Sequence, residues 1–437
     1  MANTSLIRTI GTPTSTQKFT LSAWIKKTTP TLEGRLISSW NGSGTQFWTM
    51  IQSDGTLFIA DYDSGYNMQL ISNRLFRDPS AWYHLVMAFD TTQLTAANRA
   101  KVYVNGVQET SFATETYPSQ NAALNFTNSG DSARIGVRDG GEYFNGIMSY
   151  VACIDGTQEL PTIFGETDVT TGEWKIKTTI TPSVAWGNNG FLILKNGNSL
   201  TDESTNSNNF TLGGGTLTNT EDCPSNVFAT FNALDTFYTT PTFTNGNTTL
   251  ELNPASTKDT YVPTTLGMSS GKYYAEAKFI SGASYNYIGI VDKPASANKI
   301  IGSFTNSARI RGDDGVTTIN NVNSTTLTPY TTNDIIGIAV DLTNLKLYYS
   351  KNGVFMNSAN PSSGTGGLTI TAPDHAYFFA WQCNSGSVVT KFSWNFGNGY
   401  FGTSAVSSAG SNASSNGIFE YDVPTGYTAL STKGLNV

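Results

Sequence analysis

Trp82-Tyr-His-Leu-Val-Met-Ala-Phe89, then Asp90-Thr-Thr, then Lys101-Val-Tyr-Val-Asn105-Gly106-Val107, decides the fold class of this 437-residue chain. In the first run Tyr83, Leu85, Met87 and Phe89 share one side of a strict alternation, the period of a strand with one buried face. Asn-Gly between alternating runs is a strong hairpin signal, because a type I′ turn needs positive φ at both central residues. The same order recurs far downstream: Ile335-Ile-Gly-Ile-Ala-Val340, Asp341-Leu-Thr, then Leu345-Lys-Leu-Tyr-Tyr-Ser-Lys-Asn352-Gly353-Val354. Two copies predict two domains of like antiparallel architecture. They are too few and too far apart for a solenoid.

The alternation extends outward from both copies. In Phe19-Thr-Leu-Ser-Ala-Trp-Ile25 the residues Phe19, Leu21, Ala23 and Ile25 fall on one face. Windows with a 3.6-residue period free of Gly, Pro or Thr/Ser/Asn clusters are scarce. His84 lies on the face opposite Leu85 and reads as a structural residue. The expected fold class is all-β: two β-sandwiches joined by a β-rich connector. The expected boundaries are 1–165 for the first sandwich and 166–225 for a Gly/Asn/Ser-rich connector. The second sandwich follows over 226–403, with a polar stretch and C-terminal segment over 404–437.

Composition narrows the function classes. Charged residues are 13 % of the chain and the net charge is −7, so a basic stripe for nucleic-acid phosphates is not expected. The same deficit argues against an anionic membrane surface, and the longest apolar run, near Ile335–Val340, is too short to span a bilayer. Met1–Ile10 lacks the basic start and apolar run of a secretory signal, so synthesis without a leader is expected. Cys153, Cys223 and Cys383 are sparse and odd in number, unlike a disulfide framework or a metal knuckle. With His84 and His375 the only histidines, His-based zinc sites and triads are disfavoured.

Three resemblances carry the reading further. Phe19–Trp24, Trp82–Leu85, Val102–Gly106, Ala133–Val137 and Tyr143–Ile147 resemble successive strands of the laminin G-like, concanavalin A-type jelly roll. Gly271–Glu276, Tyr287–Ile290, Asp334–Val340 and Leu347–Gly353 resemble the SPRY domain, another concanavalin A-like sandwich. Ile154–Pro161, Phe164–Glu166, Thr171–Trp174, Asn189–Phe191, Phe231–Asp235, Gly267–Tyr273, Asn395–Gly397 and Pro424–Leu430 resemble a module of virion proteins from tailed phages of marine bacteria. That last resemblance implies a structural protein of the particle, often a tail fibre, spike or other appendage.

Candidate sites follow from residue chemistry. Glycoside hydrolysis needs two carboxylates about 5–10 Å apart in a cleft. Hydrolases resembling this fold carry Glu-x-Asp-x-x-Glu on one strand, and no such string occurs. Glu142, Glu159, Glu166, Glu173, Glu203 and Glu276 are scattered, so no enzyme is expected. Asp61-Tyr-Asp63-Ser-Gly-Tyr-Asn67 groups oxygen ligands. Since laminin G relatives often bind calcium at a sandwich rim, Asp61, Asp63 and Asp139 are candidate calcium ligands, against the alternative of a solvated Asx turn. Arg311-Gly312-Asp313 reads as a turn rather than an adhesion tripeptide. For sugar binding, aromatics in or beside loops would stack on pyranose faces, and the candidates are Trp48, Tyr62, Tyr66, Tyr143 and Trp174.

The expectation is a non-enzymatic virion protein, assembled in the host cytoplasm and displayed outside as a fibre, spike or adhesin for host-surface glycan. The alternative is a capsid or tail decoration protein without glycan binding, and a polysaccharide-degrading enzyme stands behind both. Expected partners are other virion proteins and copies of the chain, with a homotrimer first. Nucleic-acid binding and membrane insertion are not expected.

Overall fold

Both Asn-Gly pairs adopt the backbone that their chemistry favours. In the computed structural model Asn105 and Gly106 have φ of 49° and 79°, and Asn352 and Gly353 have 50° and 82°. Each Asn ties its turn to the preceding strand in the same way. Asn105 N–H donates to the His84 carbonyl at 2.9 Å, and its Oδ1 accepts from His84 N–H at 2.8 Å. Asn352 repeats the exchange with Ile335 at 2.8 and 2.9 Å. The structure describes residues 3–253, 260–282, 285–292, 300–383 and 388–436.

The chain divides into two compact units, Met1–Asn219 and Thr220–Val437. The first is built from two antiparallel sheets. One runs β10 (Phe112–Thr116), β6 (Tyr66–Leu75), β5 (Thr56–Tyr62), β4 (Gln46–Ile51), β3 (Gly34–Trp40), β11 (Ser132–Ile135), β1 (Ser5–Thr9) and β16 (Thr211–Gly214). The other runs β15 (Phe191–Ile193), β12 (Gly146–Asp155), β2 (Lys18–Lys27), β7 (Tyr83–Asp90), β8 (Ala100–Val104) and β9 (Val107–Glu109). The alternating residues read from the sequence, Phe19, Leu21, Ala23, Ile25, Leu85, Met87 and Phe89, pack inward against Phe47, Ile37, Ile59 and Met68 of the facing sheet. Phe19 sits at the centre, with ring centroids 4.7 Å from Phe89, 5.2 Å from Phe126 and 5.7 Å from Phe47. Burying one such ring contributes about 1.5–3 kcal/mol by area alone.

The stretch 166–225 expected as a connector is folded onto this unit, and the division falls at 219/220 instead. Its β15 pairs with β12 and its β16 with β1, extending both sheets. Phe164 and Trp186 cover Val86, Ala88, Ala152 and Ile154 on the outer face of the six-stranded sheet. The polar composition that resembles a linker makes folded turns here. Asp202 accepts backbone N–H bonds from Leu192, Ser204 and Asn208 at 2.8, 2.8 and 2.7 Å. A short ribbon, β13 (Gly165–Thr167) with β14 (Trp174–Ile176), completes the stretch.

The second unit, among its described residues, also has two sheets. The first follows β17 (Thr242–Thr244), β18 (Thr249–Leu252), β30 (Thr390–Asn395), β20 (Lys272–Ser281), β25 (Ile335–Asp341), β26 (Lys346–Lys351) and β27 (Val354–Phe355). β28 (Leu368–Thr369) also pairs with β26, and β33 (Thr428–Ala429) runs parallel to β20. The second follows β19 (Thr260–Pro263), β29 (Tyr377–Cys383), β21 (Asn286–Asp292), β22 (Ser307–Arg311), β23 (Val316–Ile319) and β24 (Val322–Thr326). Between them lie Phe231, Ile288, Ile338, Phe379, Trp381, Phe392, Trp394 and Phe396. β31 (Tyr400–Phe401) and β32 (Ser404–Ala405) form a two-stranded ribbon.

The segment 404–437, read from the sequence as a polar stretch and a C-terminal segment returning to the body, packs on the second sandwich. Phe419, Val423 and Tyr427 pack on Tyr274, Ala339 and Tyr348, covering the outer face of the first sheet. The anchor is Glu276, buried in β20. Its carboxylate accepts N–H bonds from Glu420 and Tyr421 at 2.9 Å each, from Asn395 Nδ2 at 3.2 Å, and the Tyr274 hydroxyl at 3.2 Å. Burial pushes this carboxyl up to about 7, against those hydrogen bonds, which pull it down. Among the described residues α-helix is confined to the four-residue α1 (Ala96–Arg99) and α2 (Thr432–Leu435), beside two single 3-10 turns at Asn125–Thr127 and Pro161–Ile163.

Candidate functional site: an aromatic face on the first sandwich

On β4, β5 and β6 the side chains opposite the core include a cluster of aromatics, packed with Met50, Ala60 and Ile71. Register places Trp48 beside Ala60, Phe58 beside Ile71 and Tyr62 beside Tyr66. The Trp48 ring centroid lies 5.5 Å from Phe58, 6.4 Å from Tyr62 and 6.0 Å from Tyr66, and Tyr62 and Tyr66 are 5.3 Å apart, edge to face. Trp48 is 5 % exposed and Tyr66 49 %, so the cluster has a packed floor and an open side. The structure thus brings together Trp48, Tyr62 and Tyr66, three of the five expected sugar-stacking residues.

Arg35, absent from the sequence reading, belongs to this face. Trp48 pairs with Ser38, but between Arg35 and Ile37 the β3–β4 register shifts, and Arg35 pairs with Met50. Leu36 is the extra residue of a bulge and packs into the core. Without it, plain alternation from Ser38 would turn Leu36 outward and Arg35 inward. The Arg35 guanidinium lies 4.4 Å from the Trp48 ring centroid, a cation–π contact. Its Nε donates to Glu142 Oε2 at 2.5 Å. Burial lowers the Arg35 pKa and raises that of Glu142, while the pairing opposes both and leaves Glu142 below its ordinary value.

The other expected site residues are elsewhere. Tyr143 is half-buried in the run before β12. Trp174 lies over the Asn105-Gly106 turn, where a Cβ on Gly106 would sit 2.4 Å from its ring, and its indole N–H donates to His84 Nδ1. A ring so engaged is part of the fold.

The calcium candidates do not converge. Asp61 points inward and is fully buried. Its Oδ2 accepts from Asn125 N–H at 2.7 Å, and its Oδ1 from Asn125 Nδ2 at 2.9 Å and Asn67 Nδ2 at 3.1 Å. Burial pushes it up to about 6, against those bonds. Oxygens already facing N–H donors do not suit a cation. Asp63 is in an exposed turn, and Asp139 pairs with Arg134 at 3.5 Å. Among the described residues no group of three or more His, Cys, Asp or Glu could hold a metal ion. Arg311 is ion-paired with Asp313 at 2.9 Å and with Asp314, so the Arg-Gly-Asp triplet closes on itself in a turn.

Residues 3–161 match the family described as the concanavalin A-like lectin/glucanases superfamily, in its Laminin_G_3 branch. The first sandwich has this concanavalin A-like, laminin G-like fold, and the chain as a whole is nearly all-β. A stretch of 94 residues, 21 % of this chain, is 35 % identical to the Ran-binding proteins 9/10 homolog of Drosophila melanogaster and spans 10 % of that protein's length. The SPRY domain of human HERC1 is similar at 15 % identity over 38 % of this chain and 96 % of that one, with a TM-score of 0.32. A heptameric SAP-like pentraxin from Limulus polyphemus is similar at 19 % identity over 36 % of this chain and 71 % of that one, with a TM-score of 0.27.

Proposed function

We propose that this chain is a non-enzymatic binding and structural protein of a tailed-phage virion. It is displayed outside, as a fibre, spike or adhesin, and its first sandwich attaches to host-surface glycan. The observation that carries the reading is the convergence of Trp48, Tyr62 and Tyr66 on one open sheet face. Aromatic rings offer sugars a flat apolar partner, and loop or sheet surfaces on a rigid sandwich hold them in place. The virion assignment is supported by the module resemblance running from Ile154 to Leu430. As in other appendages, copies of the chain assemble symmetrically, a homotrimer being the expected form.

Several of the scattered glutamates carry structural duties, which supports the non-enzymatic reading. Glu159 accepts from Ser183 N–H at 2.8 Å, Glu166 is near Lys175 Nζ at 3.6 Å, Glu142 pairs with Arg35, and Glu276 anchors the C-terminal segment. A glycan array combined with a product assay tests the proposal. Binding that is lost in Tyr66→Ala, without product formation, is the expected result. Oligosaccharide products would replace the reading with an enzyme. Binding to capsid or tail protein with no glycan bound would replace it with a decoration protein.

A further inference from the structure

The aromatic face contains two buried polar atoms without a partner, Arg35 Nη1 and Trp48 Nε1. Their residues are 4 % and 5 % exposed and in direct cation–π contact. A third, Arg134 Nε, belongs to a guanidinium 5.7 Å from the Trp40 ring centroid on the same sheet. All three groups can only donate. Leaving a buried donor unmade is costly, more so on a cation, and native structures rarely do it without a reason. Nearby acceptors are already shared: Glu142 serves both Arg35 Nε and, at 3.3 Å, Arg138 Nη1. One carboxylate thus faces two guanidiniums. What would complete the set is an anionic oxygen from outside the chain.

Building on the glycan-attachment reading, we propose that this face is a subsite for an acidic saccharide. Arg35 Nη1 and Trp48 Nε1 donate to a carboxylate or sulfate oxygen of the ligand, and the open Tyr66 ring meets the sugar face. The loop carrying Glu142 has open space around Gly140 and Gly141. Carboxylate and sulfate share the chemistry required; the test separates them.

The full chain is titrated with polygalacturonate, dextran sulfate and neutral dextran by calorimetry and tryptophan fluorescence. At least one polyanion is expected to bind and dextran is not. Trp48→Phe keeps a ring beneath Arg35 and removes the N–H; it should weaken polyanion binding roughly tenfold or more. Tyr66→Ala, at an exposed position, should weaken it too. It decides the matter if Trp48→Phe fails to fold. Binding of polygalacturonate alone assigns the site to uronates, and of dextran sulfate alone to sulfated sugars; each supports the proposal. Equal binding of dextran, or polyanion binding unchanged in folded variants, overturns the acidic subsite while glycan attachment stands. No binding to the three polymers and none on a broad glycan array overturns both.

Discussion

The indole N–H of Trp174 donates to Nδ1 of His84 at 2.9 Å, and this one bond fixes the state of the histidine. Indole only donates, so Nδ1 is an acceptor and the proton resides on Nε2, facing Ser22 Oγ at 2.9 Å. Trp24 stacks on the imidazole at 4.7 Å and 16°, while Trp174 lies nearly parallel to it at 6.0 Å and 18°. Burial drives the His84 pKa down to about 3, so the ring is neutral.

Trp174→Ala should therefore act on stability. It removes a large ring packed over Gly106 and orphans Nδ1 of His84. A loss of about 3–5 kcal/mol is expected in urea unfolding, with saccharide binding retained in the folded fraction. Weakened binding at unchanged stability would return Trp174 to the ligand face.

His84 also predicts a pH dependence. Its folded-state pKa is below the unfolded value of 6.5, so the unfolded chain binds the proton better. The stabilisation is complete above that value and is lost as pH falls from there towards about 3. Unfolding measured from pH 7.5 to 4 should show this slope in the native chain and a shallower one in His84→Gln.

Glu276 works with the opposite sign. Its folded-state pKa is raised from 4.5 to about 7, so its contribution is fully present below the former and lost as pH rises through the latter. The unfolding free energy of the second unit should fall between pH 5 and 8. Glu276→Gln should flatten that fall, while still weakening the hold on Glu420 and Tyr421, read as faster hydrogen exchange at those two amides.

Asp61 separates a structural carboxylate from a metal ligand. Chelation with EDTA, or added calcium, should leave the melting temperature unchanged. Asp61→Asn should lower stability by about 1–3 kcal/mol, because an amide NH2 then faces the donors of Asn67 or Asn125. A calcium-dependent rise in melting temperature that disappears in Asp61→Asn would overturn this.

At the second hairpin, Gly353 has φ of 82° and a Cβ there would lie 2.6 Å from Tyr421 Cδ1. Gly353→Ala should destabilise by about 1–3 kcal/mol from backbone strain and contact together. Thermal unfolding checks it; a neutral result would mean Tyr421 yields freely.

What the residues announce in one dimension is local chemistry. Asn105-Gly106 and Asn352-Gly353 are legible because positive φ is a property of the two residues themselves. The inward set around Phe19 and Leu85 is legible because alternation is a property of the strand. The bulge at Leu36 is not, because it depends on the partner strand, and it decides which face Arg35 joins. Asp61 and Tyr62 show the same limit. Adjacent in one strand, they point to opposite faces, so a motif read as a cluster of ligands is split by the sheet. Phe164, Trp174 and Trp186 lie among short irregular segments whose packing targets, Val86 and His84 among them, are distant in sequence.

In the second sandwich Phe228 bridges to Ser431, and Ala229 N–H donates to the Leu430 carbonyl at 2.9 Å. An early and a late segment of that body therefore lie side by side. A module whose early and late segments adjoin can be moved between polypeptides as a cassette, or re-cut into a circular permutant, with only a short splice to its host. Such a body could be exchanged as a whole, leaving the sheets that hold Trp48 and Tyr66 to change at their own pace.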